Sequence, residues 1–227
     1  MQASELFNQP NTILLDGGMG TMLQAAGMKL GTRPEDLNIE NPELIRSIHA
    51  KYAAAGSRVV NANTFGASPH KLADSKYTLE EVITAGVANC KQAVAPYGAL
   101  VTLDVGPLGE LLEPSGTLAF EDAVAEYGRI VRAGVAAGAD ILYFETFTDL
   151  YEMKAALLAA KENSTLPIMA SMSFEANGRT FTGCTVESFA ATARGLGANA
   201  VGINCSLGPK EIFPMAKRLA EAVPGDF

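Results

Sequence analysis

Short runs of Val, Ile and Leu recur along the chain, and each is followed by a longer segment whose apolar residues return every three to four positions. That alternation predicts repeated βα units. TILLD (12–16) reads as a first strand, followed by a loop and a helix in PELIRSIHAKYAAAG, where Pro42 suits a first helical turn and Gly56 a C-terminal stop. SRVVNAN (57–63) precedes a helix near 79–95, GALVTLDVG (98–106) one near 120–137, and ADILYFET (139–146) one near 149–162. LPIMASMSF (166–174) then precedes a helix near 186–195, and ANAVGINC (198–205) one near 209–222. Strands that are apolar on both faces are expected in a parallel sheet covered by helices. AAGSRVV, AAGADIL and GLGANAV resemble one another, each ending a helix with small residues and a Gly just before a strand. Six units leave two architectures open, a doubly wound open sheet or a barrel that ends two strands early. An eight-stranded barrel takes about 250 residues, whereas this chain has 227 and closes on the turn-like VPGDF.

Composition narrows the ligand rather than the fold. Hydrophobic residues make up 48% of the chain, enough for a sizeable core. A net charge of −8 argues against nucleic acid or an anionic membrane as partner and points to a small ligand. No apolar run approaches the roughly 18–20 residues that span a bilayer, and MQASELFNQP lacks the basic and apolar regions of a secretory leader. A cytoplasmic protein is expected. Three cysteines, Cys90, Cys184 and Cys205, are too few and too widely spaced for a disulfide framework.

In either parallel architecture the ligand sits at the carboxyl ends of the strands. The polar residues there are Asp16, then Asn61, Asn63 and Thr64, then Asp104, then Glu145 and Thr146, then Ser171 and Ser173, and finally Asn204, Cys205 and Ser206. Asp104 reads first as a residue that caps a helix or bonds its loop. Asp16 and Glu145 are harder to explain without a ligand, because acids beside apolar strands need a partner to stay ionised, and a cationic group would supply it. The glycines of DGGMG suit a loop with positive φ, and they also leave backbone N–H groups open to an anion such as a carboxylate. The spacing is neither a dinucleotide fingerprint nor a P-loop. Cys90 reads as a packed helical residue, Cys184 as a loop residue on the ligand side, and Cys205 as the best placed of the three. His49 and His70 read as packing or surface residues.

ILLDGGMGTMLQ, NANTFGAS, DVGPLGE, FETFTDLYEMKAA, GRTFTGCTVESF and GINCSLGPKE together resemble the homocysteine S-methyltransferase family, closest to the homocysteine-binding domain of its cobalamin-dependent branch. The resemblance runs from about residue 11 to the end. It implies a (β/α)8 TIM barrel, of which the chain (1–227) carries the first six βα units. It also implies zinc-dependent transfer of a methyl group to homocysteine, with methylcobalamin as donor through further cobalamin and folate domains of the same protein. On the resemblance, Cys205 is one zinc ligand. Asp16 and Glu145 hold the amino group of homocysteine, Gly17 and Gly18 receive its carboxylate, and Asn63 and Ser206 line the pocket. The family's GGCC motif, which carries the other two zinc ligands, does not occur in this sequence. The chain is therefore expected to be a fragment, inactive alone, with zinc weak or absent. The residues leave a folate-derived donor, betaine or S-methylmethionine open beside cobalamin. Two rival expectations are a non-catalytic partial barrel that self-associates through its open edge, and a complete doubly wound enzyme using Asp16 and Glu145 as an acid and base pair.

Overall fold

The computed structural model describes residues 3–8, 10–29 and 31–223. The end of VPGDF, from residue 224, lies outside the described residues. Nine α-helices and five strands are found among the described residues: α1 (Ala3–Leu6), α2 (Met19–Ala25), α3 (Leu37–Glu40), α4 (Pro42–Ala54), β1 (Val59–Asn61), α5 (Leu79–Val94), β2 (Leu100–Val105), α6 (Phe120–Ala136), β3 (Ile141–Phe147), α7 (Leu150–Asn163), β4 (Ile168–Met172), α8 (Val186–Gly195), β5 (Ala200–Ile203) and α9 (Pro209–Ala222). The five strands pair in parallel in the order of the sequence and curl into an open part of a barrel. That order has no switch point, so the doubly wound alternative is set aside.

The six helices from α4 onward fall where the periodicity predicts them. Four of the six start on a side-chain cap: Asn41 accepts from the Leu44 N–H, Thr78 and Glu81 form a capping box on α5, and Asp149 and Thr185 cap α7 and α8. The three Gly-containing preludes share one geometry. Gly56, Gly138 and Gly197 sit at φ of 110, 86 and 85°, and the next residue donates to the carbonyl five positions back, from Ser57 to Tyr52, from Ala139 to Gly134 and from Ala198 to Ala193. This is the Schellman ending, which favours Gly because only Gly enters the left-handed region without strain.

The first predicted strand is the exception. TILLD forms one bridge, Leu15 to Val59; the Leu14 carbonyl accepts from the Arg58 and Val59 N–H groups, and the Leu15 carbonyl from the Ser57 hydroxyl. Leu14 is 57% exposed. With a neighbour on one side only, the segment follows β1 without building a ladder. ANAVGINC also differs from its buried look, since β5 lies at the other edge and is half-buried throughout. Among the described residues no helix is long and apolar enough to cross a membrane.

Strand alternation separates two faces. Val60, Val101, Leu103, Val105, Leu142, Phe144, Ala170 and Met172 belong to the large core beneath the helices. Val59, Leu100, Ile141, Tyr143 and Met169 face the other way and form a second cluster with Leu6 of α1. Continuing that inner face toward the carboxyl ends gives Asn61, Thr102, Asp104, Glu145, Ser171 and Asn204. The strands are therefore apolar on both faces only in their first halves. This change along the inner face positions the site.

Candidate functional site

At the carboxyl end of the inner face is a cavity of about 540 Å³, and its walls include Asp16, Gly17, Gly18, Glu35, Asn63, Asp104, Glu145, Thr146, Asn204 and Cys205. Six of the seven sequence-predicted residues thus meet in one place. Ser206 is not in this wall; its hydroxyl donates to the Phe174 carbonyl at 2.7 Å and ties the loop after β5. Asn63 is in the wall, but its amide N–H groups are committed to the Pro34 carbonyl (2.8 Å) and to Asn38 Oδ1 (2.9 Å). Gly17 and Gly18 do not have positive φ, contrary to the loop expectation. Gly17 is small because a Cβ there would stand 2.9 Å from the Tyr52 ring, whose hydroxyl donates to the Gly18 carbonyl.

No lysine, arginine or histidine lines the cavity among the described residues, whereas four carboxyl groups do. Asp16 Oδ2 accepts from the Asn61 N–H at 3.0 Å, and its Oδ1 is buried without a partner among the described residues. Burial raises its pKa to about 7, opposed by the Asn61 bond and reinforced by the charge of Glu145. Burial likewise raises Glu145, against hydrogen bonds from Tyr143 and Asp104. Glu35 is tied down as an acceptor from the Gly66 N–H at 2.6 Å.

Asp104 corrects the sequence reading. It caps no helix; its side chain is buried at the floor of the cavity beside Glu145, with Oδ1 unpartnered among the described residues. Burial, then the charges of Glu145 and Asp16, push its pKa well above the usual carboxylate range. The alternation Leu100, Thr102, Asp104 in β2 carries the signal that finds it, because the first two residues face inward.

A bulge delivers Glu145. Phe144 pairs with Ala170 and Phe147 with Met172, so two residues of β3 stand opposite one of β4. The extra residue leaves Thr146 at φ 64°, a costly conformation for a β-branched side chain. Cys205 and Ser206 also adopt positive φ, 59 and 57°.

The cysteines do not converge. Cys90 is fully buried with its thiol toward the Val60 carbonyl. Cys184 bonds the Thr185 carbonyl at 3.2 Å beside a separate cleft. Only Cys205 is exposed and on the cavity. Among the described residues no three His, Cys, Asp or Glu side chains are grouped to hold a metal ion. A catalytic zinc needs three protein ligands around an open position, so the donor set among the described residues does not by itself fit zinc. His49 is buried on α4 with neither ring nitrogen partnered among the described residues, and burial lowers its pKa to about 4. His70 is on the surface against Glu126.

The profile described as homocysteine S-methyltransferase matches residues 13–225. Methionine synthase of Mycobacterium tuberculosis is 28% identical across 90% of this chain, and the chain spans about a fifth of that protein, 19% of its length. The crystal structure of the Escherichia coli homocysteine methyltransferase MmuM in its metallated form superposes with a TM-score of 0.82 at 25% identity, covering 92% of this chain and 80% of that one. Its apo form gives 0.72 at 26% identity, over 92% and 76%. The carboxyl transferase domain of Rhizobium etli pyruvate carboxylase, 15% identical with a TM-score of 0.58 over 96% of this chain and 35% of that one, shares the fold alone.

Proposed function

We propose a function from one premise: the chain belongs to the homocysteine S-methyltransferase family. In this reading the cavity binds homocysteine and presents its sulfur for methylation to methionine. The observation that carries it is the cavity wall, where Asp16, Asp104 and Glu145 gather with no cation of the protein among the described lining residues. Such a wall calls for a cationic group on the ligand. The substrate ammonium sits between the carboxylates of Asp16 and Glu145, the N–H groups near Gly17 and Gly18 receive its carboxylate, and the chain of two methylenes carries the sulfur toward Cys205.

Methylation forms a sulfur–carbon bond as the bond from carbon to the donor breaks, and the thiol proton leaves to solvent. The protein contributes alignment of the two centres. Cys205 would bring one soft ligand to the sulfur end, the type zinc takes, and is one of the three that a catalytic zinc needs. Likeness to methionine synthase favours methylcobalamin as donor, carried by further domains, and a cytoplasmic setting.

Calorimetry with L-homocysteine tests the amine site. Glu145→Gln and Asp16→Asn should each weaken binding ten- to a hundredfold, about 1.5–3 kcal/mol for a hydrogen bond to a charged group. Unchanged affinity in both variants removes these acids from the site.

A further inference from the structure

Asn204 follows β5 and lines the cavity, with its side-chain amide between Glu145 and Cys205. Its Oδ1 accepts from the Thr146 backbone N–H at 3.2 Å and from Ser171 Oγ at 3.0 Å. A backbone N–H can only donate, so this contact fixes which way the amide is turned. The Nδ2 group must then face Glu145 Oε2 (3.2 Å), Thr146 Oγ1 (2.8 Å) and Cys205 Sγ (3.6 Å). Two protons serve a carboxylate, a hydroxyl and a sulfur.

The amide is held from behind as well. Tyr143 and Ser171 hydroxyls lie 3.0 Å apart, so the Ser171 hydroxyl that donates to Asn204 is itself braced against Tyr143. Ser173 Oγ donates to the Asn204 carbonyl at 2.8 Å. The residues on either side of the bridge, Thr146 near the carboxyl end of β3 and Cys205 just after β5, are two of the three non-glycine residues with positive φ among the described residues. Strained backbone persists where the surroundings over-determine it, and here the Asn204 side chain supplies one of those constraints directly, through the Thr146 N–H.

We propose that Asn204 is a positioning residue that sets the spacing between the Glu145 carboxylate and the Cys205 sulfur, and thereby the length of amino thiol the cavity accepts. The selectivity half of this rests on the homocysteine reading above. The ligand ammonium engages Glu145 and its sulfur is directed to Cys205, so a planar amide bonded to both fixes the distance the methylenes must span. In that reading the span takes a two-carbon side chain, and the one-carbon side chain of cysteine is short by a methylene. Asn204 touches neither reacting atom.

The test measures Kd for L-homocysteine and L-cysteine by calorimetry on the whole chain in metal-free buffer, for wild type, Asn204→Ala and Ser171→Ala, with a crystal structure of Asn204→Ala. Wild type should prefer homocysteine by about tenfold or more, the usual scale for one methylene. In Asn204→Ala the preference should collapse toward about one and Thr146 should leave positive φ, while Ser171→Ala, which frees one side of the amide, lies between. Wild-type selectivity in Asn204→Ala, with Glu145 and Thr146 unmoved, overturns the proposal. If wild type binds neither thiol, the homocysteine reading fails, and the positioning role is then decided by the variant structure: displaced Glu145 and Thr146 support it, unmoved ones overturn it.

Discussion

On the outer face of the sheet Val60, Leu103, Phe144 and Met172 continue apolar to the strand ends, whereas on the inner face Leu100 gives way to Asp104 and Tyr143 to Glu145. The two faces alternate residue by residue along the same strands. What differs is what covers them: helices on one side, and on the other an apolar floor that opens into a cavity. The outer face stabilises the fold, and the inner carboxyl end is assembled at a cost in stability, with acids desolvated and unpaired and with Thr146 in a left-handed conformation.

The largest expected effect breaks the outer face. Phe144 is fully buried and packs edge-on against Tyr127 and Phe147, so Phe144→Ala should lower unfolding free energy by about 3–5 kcal/mol in urea titrations. A loss under about 1 kcal/mol would mean that the core collapses onto the gap and that the face is less closely packed than it looks.

The inner face should respond to pH in the opposite sense from an ion pair. Asp16 has a folded pKa of about 7 against 3.8 unfolded, so the folded state keeps a proton that the unfolded chain releases. Its contribution is full below about pH 4 and is lost as pH rises to about 7, at up to about 1.4 kcal/mol per pKa unit. Asp104 and Glu145 are shifted in the same direction. Melting curves across this window should show wild type losing more stability with rising pH than Asp16→Asn, the opposing gain from His49 being common to both. Equal slopes would show that Asp16 ionises normally.

The smallest effect concerns the bulge. Thr146→Gly removes the left-handed strain while adding unfolded-chain freedom, for a net gain of about 1 kcal/mol or less, read as a small rise in Tm. A fall in Tm would show that contacts of the Thr146 side chain outweigh the strain.

Helices α4 to α9 were legible because apolar spacing, caps and terminal glycines are local signals, each readable within a dozen residues. The acids at positions 16 and 145 were legible as charged residues closing apolar runs. TILLD was misread because a strand exists only where neighbours supply a ladder, and local pattern does not report whether both sides are paired. Asp104 reads as a helix cap or a bond to its loop because its meaning depends on which face of β2 it occupies, and Asn204 draws no role because its partners lie 58 and 59 residues away, at Thr146 and Glu145.

By itself the sequence determined the alternation of strand and helix, the acidic balance, the presence of one well-placed cysteine and the family to which the chain is similar. Tertiary structure decided the rest: the sequential curl of the sheet, the turn of the inner face from apolar to acidic, the bulge that aims Glu145, and the amide that joins it to Cys205. Periodicity is a property of neighbours along the chain and survives in one dimension. Desolvation, strain and hydrogen-bond direction depend on atoms brought together by folding, and they exist only once the strands are side by side.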